Sequence, residues 1–343
     1  GYINVYYMAL DGDVRAVTEG LQTVNLSSAN RNTSVGVGIL ASYYEPGDVY
    51  SFALSGRGEP TRLTSVNEDL LATKELGEHE EIWYEASDGN RAHGWIVKPP
   101  NFDPDEDYPL LMEIHGGPFG MYSGRFNFQY QVYAANGFVV LYTNPRGSTG
   151  YGEAFSQAID HAYPSVDYLD LMGGVDATIA KGYIDEKRMY VGGCSGGGVL
   201  SSWVIGHTDR FAAAAVRCPV SNWLSMAGTT DIPGFTFAFF QKPFWEDPSD
   251  WLKHSSLMYV GNVKTPTAVM TGEQDMRTTI AQSEEYYGAL KMRGVPARLI
   301  RFNDQYHGTG TKPSNNMRTM LYMMSWYNKY TLDGEVTEEG GGE

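Results

Sequence analysis

Cysteine is scarce: Cys194 and Cys218 are the only two in 343 residues. Two residues make no disulfide framework, and neither sits in a metal-ligand spacing, so both read as free, buried thiols and no metal or other cofactor is expected. Positive charge is also short, with 25 Lys and Arg against 41 Asp and Glu and a net charge of −16. That excludes nucleic acid and anionic membrane as partners, since both need clustered cations. No apolar run approaches the roughly 18 residues that would cross a bilayer. The first residues lack the charged-then-apolar pattern of a signal peptide. They open inside strand-like sequence, so the true start is expected upstream and the compartment stays open. Histidine is limited to seven, which narrows any search for a base.

What the chain does have is 42% hydrophobic residues and 40 glycines, enough for a sizeable core and more than one domain. Residues 1–75 read as short strands and turns. "NVYYMALDG" (4–12) and "DVYSFALSG" (48–56) align without gaps at an offset of 44, and a Thr-containing strand follows each. A repeat of short strands at this period marks β-propeller blades, and two blades cannot close a ring of about four to eight. The expectation is a partial propeller over residues 1–75 with its remaining blades upstream. Residues 81–100 read as a hairpin about the Asp88-Gly89 turn. From Leu110 onward, strands alternate with helical patterns, one of them at about residues 167–181. This predicts a mostly parallel sheet covered on both faces, over residues 76–335. Residues 336–343 read as a disordered acidic tail.

The stretch "RMYVGGCSGGGVLSSWVIG" (188–206) holds five glycines in seven residues. No lysine follows as in a phosphate loop, and the spacing is not that of a dinucleotide fingerprint. A linker would have polar flanks; these are apolar. A strand, a tight glycine turn and a helix form the setting of the nucleophile elbow G-x-S-x-G, in which a strained residue exposes its side chain at a helix N-terminus. Two frames fit, one centred on Ser195 and one on Cys194, and the pattern does not choose between them. Triad partners should follow later strands in the order acid, then histidine. "TAVMTGEQD" offers Asp275, with Glu273 as competitor; "ARLIRFNDQYHGTG" offers His307. An oxyanion loop should follow an early strand, and "HGGPFG" (115–120) supplies backbone N–H groups at Gly116 or Gly117, with His115 structural.

In order and at matching spacing, "GWIVKPPNFDP", "YPLLMEIHGGPFG", "NPRGSTGYG", "RMYVGGCSGGGVL", "HTDRFAAAAV", "WEDPSDW" and "HGTG" resemble the prolyl oligopeptidase family of serine peptidases. The likeness runs from about Trp83 to Tyr330 and is nearest the acylaminoacyl-peptidase and dipeptidyl-peptidase-like branch. It implies an α/β-hydrolase fold preceded by a β-propeller. It places Ser195 as nucleophile, Asp275 as acid and His307 as base, with the N–H groups of Gly117 and Gly196 as the oxyanion hole. Cys194 then falls on the variable position before the nucleophile. Three departures stand out: Gly196 replaces a frequent Tyr, Gln305 replaces a usual Glu, and "DHAYPSVDY" replaces a Gly-rich acidic stretch. The first is expected to leave one side of the pocket bare.

The implied chemistry is hydrolysis of short peptides through an acyl-enzyme. An esterase on small acyl esters and a non-catalytic binding scaffold are the rival readings. A homo-oligomer is compatible with all of them. The aromatic segment 224–245 offers Phe235, Phe237 and Phe240 as walls of an apolar pocket, with ordinary core as the competing reading. Arg146 is read as structural.

Overall fold

Short strands bounded by Gly, Asp and Pro dominate the first 62 residues. In the computed structural model, which describes residues 1–56 and 58–336, β1 (Tyr6–Met8) and β2 (Val14–Ala16) form a hairpin. β3 (Thr23–Asn30), β4 (Val35–Ala41), β5 (Asp48–Ala53) and β6 (Thr61–Arg62) form a four-stranded antiparallel meander. The two copies of the repeat supply β1 and β5, and each turns back into its antiparallel neighbour. Val17, Val24, Leu40 and Phe52 make a small separate core. Among the described residues these strands make a sheet and a hairpin rather than a closed ring.

The rest is one large mixed sheet. β7 (His79–Glu85), β8 (Arg91–Val97), β9 (Tyr108–Ile114), β10 (Val139–Asn144), β11 (Ile184–Cys194), β12 (Ala213–Arg217), β13 (Thr267–Gly272) and β14 (Ala297–Phe302) lie in the order β14-β13-β12-β11-β9-β10-β8-β7. The β7–β8 hairpin forms the antiparallel end; the other pairings, apart from β8–β10, are parallel. Side chains alternate between the two faces. Leu110, Met112 and Ile114 enter one core, and Leu111 enters the other.

Helices α1 (Phe128–Ala135), α2 (Val166–Ile179), α3 (Gly196–His207), α4 (Trp223–Thr229), α5 (Ile280–Met292) and α6 (Pro313–Tyr327) connect or follow these strands. The core on one face includes α2, α3 and α5; the other includes α1 and α6. Local chemistry sets several ends. Asn127 caps α1 by accepting from the N–H groups of Gln129 and Tyr130, and Gly137 follows it at φ +87°. Pro313 starts α6. Among the described residues no helix is long and apolar enough to cross a membrane. Residues 337–343 of the expected acidic tail lie outside the described residues.

The topology positions the site. The chain leaves β9, adds β10 on one side, then returns to place β11 on the other side of β9. Strand order thus reverses at β9, and such a reversal opens a crevice at the carboxyl ends of the parallel strands. "HGGPFG" follows β9 there, and the glycine run closes β11.

Candidate active site

The glycine run is dictated by close approach. A Cβ on Gly193 would sit 2.6 Å from the carbonyl oxygen of Gly197, and one on Gly197 would sit 2.1 Å from that of Ile114. Only glycine lets β11, α3 and β9 pass this closely. Between them Ser195 adopts φ 62° and ψ −118°, a sparsely populated conformation that persists where its surroundings over-determine it. This is the elbow expected from the sequence.

Cys194 is not free. Its sulfur is bonded to that of Cys218, with Cα atoms 5.3 Å apart. The reading of two free thiols is therefore wrong, for a topological reason. β11 and β12 are parallel neighbours with Cys194 level with Arg217, so Cys218, one residue further, comes within bonding reach. A separation of 24 residues gives no hint of this. The bond also withdraws the Cys194-centred frame, since a disulfide sulfur is no thiolate nucleophile.

Asp275 follows β13 and its side chain is fully buried. Oδ1 accepts from the N–H groups of Arg277 (2.9 Å) and Thr278 (3.0 Å). Oδ2 lies 2.9 Å from Nδ1 of His307 and 3.2 Å from Oγ1 of Thr278. A carboxylate only accepts, so Nδ1 of His307 donates to Asp275, and in the neutral imidazole Nε2 is then the acceptor. Glu273 is exposed, and the carboxylate on His307 is that of Asp275. The two loops are pinned together. The N–H of Gln274 donates to the carbonyl of Gln305 (2.9 Å), and Thr311 donates to the buried Gln305 side chain (2.6 Å). The residue standing for the usual Glu is thus a loop anchor.

Ser195, His307, Gly117 and Gly196 line one cavity of about 310 Å³. Gly117 and Gly196 meet closely: a Cβ on Gly196 would lie 2.7 Å from the Gly117 nitrogen. The expected bare side beside Gly196 is filled instead, by that backbone and by Tyr163, whose hydroxyl donates to the Gly196 carbonyl (3.2 Å). Tyr163 comes from "DHAYPSVDY", the segment that departs from the family pattern.

Of the three aromatic candidates, Phe235 lines the cavity. Phe237 packs on Trp245 and Trp251, and Phe240 stacks on Trp251 at 4.3 Å while only 3% exposed. These two belong to the core beneath the cavity. The remaining walls include Phe119, Tyr163, Trp223, Met226 and Ile232, with Arg277 and Thr278 beside His307. Arg277 is paired with Asp231 at 2.7 Å. These walls were not legible because they come from four separate segments, one of them carrying helix α4, with no shared spacing.

His115 is structural as expected: Nε2 contacts Oγ of Ser148 (2.9 Å) and Nδ1 the Gly116 carbonyl (2.8 Å), and burial lowers its pKa. Arg146 likewise grips Asp170 and Asp88 at 2.8 and 2.7 Å. Cys218, Asp275 and His307 bring donor atoms within 4.8 Å of one another. That set does not fit a metal ion, because the Cys218 sulfur is already bonded.

Residues 124–333 match the profile of the prolyl oligopeptidase family. The chain belongs to that family. Within the family, it is 34% identical over 335 residues to the uncharacterized peptidase YuxL of Bacillus subtilis (strain 168), covering 96% of this chain and 50% of that protein. It is 31% identical to dipeptidyl-peptidase 5 of Schizosaccharomyces pombe, over 81% of this chain and 42% of that protein. The uncomplexed acylaminoacyl peptidase of Pyrococcus horikoshii superposes with a TM-score of 0.89 at 26% identity, covering 99% of this chain and 54% of that one. The chain therefore spans about half the length of these relatives.

Proposed function

We propose that this chain hydrolyses short peptides as a serine peptidase, with Ser195 as nucleophile, His307 as general base and Asp275 as the acid that orients it. The observation that carries this is the meeting, around one cavity, of the strained Ser195 and the Asp275-bonded His307. Oγ of Ser195 attacks the peptide carbonyl, and Nε2 of His307 takes its proton and returns it to the leaving amine. Asp275 stabilises the imidazolium. The N–H groups of Gly117 and Gly196 receive the oxyanion, each worth about 2.7–4 kcal/mol in comparable sites. The apolar walls Phe119, Tyr163, Trp223 and Phe235 favour a large apolar residue on the acyl side of the scissile bond.

We read the β3–β6 meander as one propeller blade, in keeping with the offset-44 repeat, residues 76–335 as the hydrolase domain, and short, unstructured peptides as the substrates such a propeller admits. The test is covalent labelling. A fluorophosphonate should modify the wild-type chain on the peptide carrying Ser195, and Ser195→Ala should abolish both label and turnover. Label or turnover surviving in Ser195→Ala sinks the assignment. Faster turnover of an apolar aminoacyl-nitroanilide than of the matching acetate ester would favour peptidase over esterase.

A further inference from the structure

The disulfide occupies a particular place in the wiring of the site. Cys194 ends β11 and precedes Ser195; Cys218 directly follows β12. Both Ser195 and Cys218 have positive φ, 62° and 37°, which L-residues adopt only when held. The Ser195 N–H donates to the Arg217 carbonyl at 3.2 Å. The Cys218 N–H donates to the Met270 carbonyl at 2.7 Å. The Cys218 carbonyl accepts from Oγ1 of Thr278 at 3.0 Å. Thr278 in turn donates its N–H to Oδ1 of Asp275 at 3.0 Å, and its hydroxyl oxygen lies 3.2 Å from Oδ2. Bonded groups therefore run without a gap from Ser195 through Cys194, Cys218 and Thr278 to Asp275 and His307.

We propose that the Cys194–Cys218 disulfide is a positioning element of the triad, and that its reduction turns hydrolysis down reversibly; the proposal rests on the reading of Ser195 as nucleophile. Cys218 is fully buried, whereas Cys194 is partly exposed, so a reductant meets Cys194 first. A dithiol's thiolate attacks Sγ of Cys194, the S–S bond breaks, and Cys218 leaves as a thiolate that takes a proton. The reagent's second thiol then closes on its own sulfur and releases Cys194 as a thiol. Two electrons pass from the dithiol, which ends as a cyclic disulfide. The two held residues are then free to relax, and the Cys218 carbonyl that fixes Thr278 moves with them. Phe119, Tyr163 and Phe235 lie outside this series of contacts, so the effect falls on kcat more than on KM.

The experiment uses the full chain, oxidised and then treated with dithiothreitol, with reduction verified as two alkylatable thiols per chain by mass. The rate of fluorophosphonate labelling at Ser195 and the kcat on an apolar aminoacyl-nitroanilide should both fall about 10- to 100-fold, the loss typical of a misplaced catalytic group. Reoxidation should restore both. The double variant Cys194→Ala/Cys218→Ala should start at the low rate and ignore the dithiol. If reduction also abolishes the melting transition, Thr278→Val carries the test with the disulfide intact: it should lower kcat in the oxidised enzyme, and an unchanged kcat overturns the relay. Label on Ser195 whose rate ignores reduction overturns the proposal alone. Absence of label on Ser195 in the oxidised enzyme overturns the triad reading, and the proposal with it.

Discussion

At the residue scale the site depends on atoms that are absent. In the proposed oxyanion hole Gly196 would offer its N–H without a side chain, and the Gly117 nitrogen lies 2.7 Å from where a Cβ on Gly196 would be. Gly196→Ala keeps the N–H but must push the Gly117 loop away, separating two donors that have to converge. Its kcat should fall about 10²- to 10³-fold, the cost of one lost oxyanion donor, with little change in melting temperature. Steady-state kinetics on a nitroanilide would decide, and wild-type kcat in this variant would remove Gly117 from the oxyanion hole. Asp275→Asn acts differently. The amide reverses the donor and acceptor roles at Nδ1 of His307, and the wrong tautomer in a comparable triad lowers kcat about 10⁴-fold. A loss under tenfold would point to another acid. Ser195, Asp275 and His307 were legible because each follows a strand in a motif with fixed order. Thr278 was not, because its role depends on the Cys218 carbonyl, 60 residues away in the chain.

At the element scale, segment 224–245 shows where sequence pattern stops. Its Phe residues look alike in the sequence, and burial alone could not say which of them face the cavity. The helical turn Pro233–Thr236 turns Phe235 into the cavity, and the next turn sends Phe239 and Phe240 under it. Phe235→Ala should therefore raise KM for a substrate with an aromatic acyl-side residue and leave the fold intact. Phe240→Ala removes a ring stacked on Trp251 and should cost about 3–5 kcal/mol of stability, the usual price of a large-to-small change in a core. Paired melting curves and KM values check both, and a stability loss at Phe235 equal to that at Phe240 would show that the two share one environment. The strands of the large sheet were readable as short apolar runs buried on both faces, such as Leu110–Ile114, and helices such as α2 from apolar residues at helical spacing. The β1–β6 region was read only as a repeat, since strands of two to eight residues carry little pattern of their own.

At the scale of the whole molecule, histidines link the parts and give the fold a pH dependence. His79 stacks on Tyr43 at 4.7 Å and meets Tyr44 edge-on at 5.5 Å, so this first residue of β7 packs the large sheet against the residues after β4. Burial lowers its pKa to about 4. His93 lies on the next strand opposite Trp83, stacked on it at 4.2 Å, and burial again lowers its pKa to about 4, although Glu81 pulls the other way. Burial lowers His115 and His254 as well. In the unfolded chain these imidazoles protonate near pH 6.5. Between about pH 6.5 and 4 the unfolded state therefore binds more protons than the native one, and stability must fall as pH falls through that window. Buried carboxylates oppose this: burial raises the pKa of Asp167 to about 7 and raises those of Asp170 and Glu113 too, so their contribution improves as pH drops from 7 towards 4. The four histidines act against these three carboxylates, and carboxylates held low by their partners, such as Asp88 and Asp231, also lose stability as they protonate, so the net expectation is a melting temperature that declines from pH 7 to pH 4.5. The double variant His79→Gln/His93→Gln removes two of the four, and its melting temperature should decline less steeply over the same range. The same slope in wild type and variant would show that neither histidine is held neutral in the fold.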